Sequence, residues 1–209
     1  MPRPVGAGIV VSMGDHSFEV RIHGRGGQGV VTAAEMLSLA AFAEGRHAQA
    51  FPSFGSERTG APVVSFCRIS DSPVRTREPV AEPDALIVQD PTLLHQVDVF
   101  SGLGPDAYIL INTTRAFEEL GLGDFASGFR RERLLTVPAS ELAREHLGRP
   151  LPGAPLLGGF AAVSGLISID AVVSAIRERF SGRLADGNAA AAEAAFALVR
   201  TEAEALEHA

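Results

Sequence analysis

The sequence predicts an α/β fold: an open three-layer sheet with helices on both faces, finished by a helical C-terminal region. Three observations lead there. Short β-branched runs alternate with helical patterns over the first two thirds of the chain, a glycine-rich turn joins the first run to an apolar helix, and the last third carries no strand signal. A strand, a glycine turn and a helix in that order make the sheet Rossmann-like.

Residues 1–17 read as an N-terminal tail and 18–209 as one domain. The apolar run Gly8-Ile9-Val10-Val11 is too short for a signal segment or a membrane span, which places the chain in the cytoplasm. Phe18 to His23 alternates apolar and polar residues, the pattern of a strand with one buried face. Gly29 to Glu44 is almost continuously apolar or small, as in a helix buried on most sides, with Gly45 as its C-terminal cap. Arg46 to Phe51 and Val63 to Ile69 suit the next two strands. Between them Pro52 to Pro62 forms a loop long enough to suggest function.

Ala85 to Val88 and Tyr108 to Ile111 follow as strands, separated by a helical pattern from Pro91 to Val97, and Leu134 to Val137 is the next strand. Pro138 and Ser140 start a helix that ends near Leu147 with Gly148 beyond it. Helices are then expected over Leu156 to Ile167, Asp170 to Phe180 and Gly187 to Leu206, with Asp170 as N-cap of the middle one.

Composition removes several function classes. All 18 basic residues are arginine, so the chain offers neither a Schiff-base lysine nor a P-loop lysine. Cys67 is the only cysteine, which leaves no disulfide, no zinc-binding set and no thiolates for an iron–sulfur cluster. With a net charge of -7, one Tyr and no Trp, the chain lacks a basic stripe and stacking surface for nucleic acid. No residue is assigned a catalytic or metal-ligating role.

Gly24-Arg25-Gly26-Gly27-Gln28-Gly29 satisfies G-x-G-x-x-G in the strand-to-helix context that gives the pattern mechanical meaning. The glycines permit a tight turn and close approach of a ligand, and unpaired N–H groups at the helix start favour an anion. A dinucleotide site would add an acidic residue at the end of the second strand, where this chain has Gln49, Ala50 and Phe51. Two readings stand beside it: a phosphate held by the turn, and a tight strand–helix joint that binds nothing.

The segment His23 to Ile69 resembles the gamma subunit of the pyruvate and related 2-oxoacid:ferredoxin oxidoreductases. The likeness rests on linked motifs in order: Gly24-Arg25-Gly26-Gly27-Gln28-Gly29-Val30, Ala33-Ala34-Glu35, Gln49-Ala50-Phe51-Pro52, Phe54-Gly55-Ser56-Glu57-Arg58, Gly60-Ala61-Pro62-Val63 and Arg68-Ile69-Ser70. It continues through Glu82-Pro83-Asp84 and Asp90, and returns at Leu157-Gly158 and Gly165-Leu166-Ile167-Ser168. One departure stands out: Gly153-Ala154-Pro155 occupies the place where the family commonly has an asparagine.

The resemblance implies oxidative decarboxylation of a 2-oxoacid such as pyruvate to an acyl-CoA, with electrons passing to ferredoxin. It also implies that thiamine diphosphate, its Mg and the iron–sulfur clusters sit on partner subunits, so that this chain is inactive alone and holds no cofactor by itself. Coenzyme A is the first ligand to test at the glycine turn, where Arg25 and Gln28 are expected to offer donors to a phosphate. Phe54, Glu57, Arg58 and Gly60 read as an interface or active-site loop, against the plainer reading of an exposed ion pair. Cys67 and His23 read as structural, and Arg130, Arg131 and Arg133 as a solvated face. The alternative to a complex subunit is a free-standing nucleotide-binding or regulatory module without redox activity.

Overall fold

The computed structural model describes residues 17–53 and 59–207. Its six strands are β1 (Phe18–Arg25), β2 (His47–Pro52), β3 (Pro62–Ser70), β4 (Ala85–Val88), β5 (Tyr108–Asn112) and β6 (Leu134–Val137). Its α-helices are α1 (Val30–Ala43), α2 (Gly123–Ala126), α3 (Ala139–Leu147), α4 (Gly153–Ser164), α5 (Ile169–Arg179) and α6 (Gly182–Glu207). Two 3-10 turns, Pro91–His95 and Arg131–Arg133, complete the set.

The strands form one sheet in the order β2-β3-β1-β4-β5-β6. β1, β4, β5 and β6 run parallel, whereas β3 is antiparallel to both β1 and β2. The crossover from β1 through α1 to β2 therefore leaves a gap one strand wide, and β3 fills it. From β4 onward the chain builds outward on the opposite side of β1. The order thus reverses between β1 and β4, which opens a crevice at their carboxyl ends, the usual ligand position in open α/β sheets.

One face of the sheet is covered by α1 and α3–α6 around a core that includes Leu37, Ile22, Ile87, Leu157 and Phe160. The other carries a smaller cluster of Leu86, Val88, Leu93, Ile109, Ile111 and Phe117 beneath short turns and α2. Burial on both faces explains why β4 is an unbroken apolar run and β5 carries Ile109, Leu110 and Ile111 in succession. It also corrects the reading of β1 as a strand with one buried face. Arg21 and His23, on its polar side, are only 7% and 6% exposed.

Arg21 tolerates that burial because its guanidinium donates to the carbonyls of Val80, Val99 and Ser101, tying two loop segments to β1. Burial lowers its pKa, and the charge of Asp98 opposes the shift.

Helix boundaries differ from expectation where tertiary packing overrides local signals. α4 starts at Gly153 and ends at Ser164, where Gly165 adopts φ +59. α5 is capped by Ser168, whose side chain accepts from the Ala171 N–H, and Asp170 falls inside the first turn. α6 begins at Gly182 rather than Gly187, because Gly187 lies against α3. A Cβ on Gly187 would stand 2.7 Å from the His146 carbonyl oxygen. Gly158 is closer still: its Cβ would fall 2.0 Å from the Ala192 oxygen, so α4 and α6 meet backbone to backbone.

Candidate functional site

The crevice is built by the end of β1, the turn 24–29, the start of α1 and the end of β4. Three of the turn's four glycines are constrained. A Cβ at Gly24 would lie 2.6 Å from Val30 Cγ2 and 3.2 Å from Gln89 Cβ, so only glycine lets the turn close over β4. Gly27 and Gly29 adopt φ +93 and +73, the left-handed region that suits glycine.

Gly29 starts α1 with no side-chain cap, and the first turn has no acidic residue. The first intrahelical bond runs from the Ala33 N–H to the Gly29 carbonyl, so Val30, Val31 and Thr32 have no carbonyl one turn back to receive their N–H groups. The first turn thus offers no acidic side chain of its own to the positive end of the helix, an arrangement that favours an anion. Beside it lies a cavity of about 210 Å³ whose walls include Gly29, Thr32, Arg149, Gly153 and Asn188.

Arg25 and Gln28 do not project from the turn. Both bend back to Asp90, which follows β4: Arg25 Nε donates to Asp90 Oδ2 at 3.1 Å and Gln28 Nε2 to the same oxygen at 2.9 Å. Gln28 Oε1 accepts from the Arg25 N–H at 2.8 Å. The remaining Arg25 contacts go to the Gly60 carbonyl, Thr92 Oγ1 and Gln96 Oε1 at 3.0, 2.7 and 2.8 Å. Asp90 Oδ1 accepts from both the N–H and the hydroxyl of Thr92.

Burial alone would raise the Asp90 pKa, but the hydrogen bonds from Thr92 and Gln28 and the Arg25 charge outweigh it and hold the carboxyl below its ordinary value. The network is a clamp: it sets the turn and occupies both of its polar side chains, so backbone amides are the donors left at the start of α1.

The clamp extends to the long loop. The Gly26 N–H donates to the Ala61 carbonyl at 2.9 Å, and the Gly60 N–H returns to the Gly26 carbonyl at 3.0 Å. Gly60 (φ +82) is therefore where that loop is fastened to the glycine turn. Phe54, Glu57 and Arg58 lie outside the described residues.

Sequence reading missed most of the clamp. Asp90 entered only through the family likeness, and Thr92 and Gln96 not at all, although Asp90-Pro91-Thr92 carries a local signal of a capped turn. Gln89 was also missed. It is 1% exposed, and neither atom of its carboxamide has a hydrogen-bond partner among the described residues. Gly153, in the Gly153-Ala154-Pro155 segment that departs from the family pattern, stands directly over it: a Cβ there would be 3.4 Å from Gln89 Nε2. Deeper in, Asn112 bonds the Gln89 carbonyl and the Ser140 hydroxyl, both at 2.8 Å, joining β4, β5 and α3.

The other singled-out residues have structural settings. Cys67 is fully buried, which pushes its thiol pKa up and keeps it protonated. His23 is held down to about 4, first by burial and then by the Arg21 charge, against a smaller opposing effect of Asp98. Arg130 pairs with Asp106 at 2.7 Å, and Arg133 stacks on Tyr108 at 4.6 Å. The dinucleotide reading loses its geometry as well as its acid, because β3 separates β2 from β1 and carries the end of β2 one strand away from the turn.

Comparison with known proteins decides the family. The model of the pyruvate ferredoxin/flavodoxin oxidoreductase family matches residues 19–198. The chain belongs to this family. Within it, this gamma-type chain is 48% identical over 179 residues to pyruvate synthase subunit PorC of Methanothermobacter marburgensis, covering 86% of this chain and 96% of the relative. It is 46% identical over 181 residues to the pyruvate/ketoisovalerate oxidoreductases common subunit gamma of Pyrococcus abyssi, covering 86% and 95%. Its fold matches the crystal structure of pyruvate oxidoreductase subunit PORC from Thermotoga maritima with a TM-score of 0.72 at 34% identity, over 87% of this chain and 96% of that one.

Proposed function

We propose that this gamma-type chain works only within a thiamine-diphosphate-dependent 2-oxoacid:ferredoxin oxidoreductase, where its glycine-turn crevice receives a phosphate of coenzyme A. The observation that carries the reading is the uncapped N-terminus of α1, set by three constrained glycines at the switch point of the sheet. Coenzyme A is an anion with phosphates of the size and charge that such a terminus favours. Names of close relatives, which describe subunits of pyruvate and ketoisovalerate oxidoreductases, support the reaction class.

In this reading thiamine diphosphate with Mg and the iron–sulfur clusters belong to partner subunits, and ferredoxin accepts the electrons. The thiamine group supplies the carbanion chemistry of decarboxylation when bound to its own subunit. This chain contributes position. Amides of Gly27, Gly29 and Val30 to Thr32 orient the phosphate, Asp90 keeps Arg25 and Gln28 locked behind them, and Gly60 and Ala61 are fastened alongside.

Co-expression with a thiamine-binding chain and a cysteine-rich ferredoxin-like chain tests the proposal. It predicts co-elution and pyruvate-dependent reduction of ferredoxin that requires coenzyme A. A stable monomer that binds nucleotide and joins no such chain supports the free-standing module instead.

A further inference from the structure

The outer edge of β6 is the end of the sheet, and its hydrogen-bonding groups follow from parallel geometry. The Thr113 N–H donates to the Val137 carbonyl, so Val137 and, two residues earlier, Leu135 turn their backbone groups toward β5. Thr136 then turns its N–H and C=O outward, where neither group has a partner among the described residues.

The layers on either side of the sheet project past this edge. A groove of about 370 Å³ runs along Leu134–Thr136, walled by Glu202 and Ala203 of α6 on one side and by Phe117, Glu118, Ala126 and Arg131 on the other. Its lining includes the apolar side chains of Leu135 and Phe117, each 8% exposed. Its rim is acidic: Glu118, Glu132 and Glu202 face one arginine, Arg131. Among the described residues Glu118 and Glu202 have no salt bridge, and Glu132 has only a 4.0 Å approach to Arg130.

An uncovered edge of this kind is a template for another strand, and soluble proteins do not usually leave one bare between two covering layers. We propose that an extended segment of a partner subunit, with apolar residues alternating with Arg or Lys, adds to β6 as a seventh strand. Its backbone pairs with Thr136, its apolar side chains meet Phe117 and Leu135, and its cations meet the three glutamates. Burial already raises the Glu202 pKa, a cost that a facing cation removes.

The inference rests on the proposed assembly, and hydrogen exchange separates the two. The complex and the isolated chain are compared by mass spectrometry over the peptide containing 134–137, and complex formation is scored independently by co-elution. The expected result is an open Thr136 amide in the isolated chain and exchange slowed at least about tenfold in the complex. The double variant Glu118→Arg, Glu202→Arg, at surface positions outside the crevice, is expected to keep its circular dichroism and weaken association at least about tenfold.

An assembled complex in which 134–137 exchanges as fast as in the free chain overturns the inference alone. So does a double variant that assembles normally. Protection already present in the isolated chain, as monomer or self-associated dimer, assigns the edge to this chain or a second copy and overturns it too. Failure of any complex to form removes both readings.

Discussion

Asp90 is the residue on which the site geometry turns, because one carboxylate oxygen receives both side chains of the glycine turn and the other caps the following 3-10 turn. Asp90→Ala leaves Arg25 and Gln28 without their shared acceptor and is expected to cost about 1–3 kcal/mol of unfolding free energy. In the assembled enzyme the same variant should raise the KM for coenzyme A at least about tenfold with a smaller change in kcat, and Asp90→Glu should recover part of the loss. An unchanged KM for coenzyme A would detach the clamp from ligand binding.

His23 gives the fold a pH dependence of known sign. Its folded pKa of about 4 lies below the ordinary 6.5, so the unfolded chain binds the proton between those values and the folded chain does not. Stability is then complete above pH 6.5 and declines as pH falls toward 4, by a total on the order of 3 kcal/mol. Asp90, with its lowered pKa, adds a further loss only below about pH 4. Urea unfolding at pH 7 and pH 4.5 should show the decline in the native sequence and a flatter profile in His23→Gln. Cys67, buried with a raised pKa, should react with a thiol reagent only after denaturation, and rapid labelling of the native chain would contradict its place in the core.

At the scale of elements, the close approach of α4 and α6 depends on Gly158. Gly158→Ala places a methyl group 2.0 Å from a backbone oxygen that cannot swing aside as a side-chain tip can, so the helices must separate. The expected cost is about 2 kcal/mol or more, read as a lowered midpoint in thermal or denaturant unfolding. A wild-type midpoint would mean that the two helices are not in backbone contact. The Leu157-Gly158 pair singled out in the sequence thus has a packing reason.

The elements that were legible in the sequence are those whose signals are local. β4, β5 and β6 were delimited by apolar runs, and Gly24 to Gly29 by its place between a strand and a helix. What could not be read depends on distance along the chain. The antiparallel insertion of β3 between β1 and β2 is a pairing choice that no local pattern encodes. The Arg25–Asp90 contact joins residues 65 positions apart. The alternation that gave β1 one buried face missed the burial of Arg21, because it reports side-chain polarity and not the carbonyls of Val80, Val99 and Ser101 that its two terminal nitrogens reach. The N-cap of α5 was misplaced from Ser168 to Asp170 because both residue types suit the position, and only the Ala171 N–H chooses between them.

For the whole molecule, the proposed assembly makes the gamma-type chain a positioning subunit whose crevice completes a site that other chains supply. Its most direct test is an omission assay with purified components, in which pyruvate-dependent and coenzyme-A-dependent reduction of ferredoxin is measured for this chain alone, for its partner chains without it, and for the full set. Turnover is expected for the full set, none for this chain alone, and a loss of at least about a hundredfold when this chain is left out. Turnover by the single chain, or undiminished turnover without it, would rule out a positioning subunit of this kind.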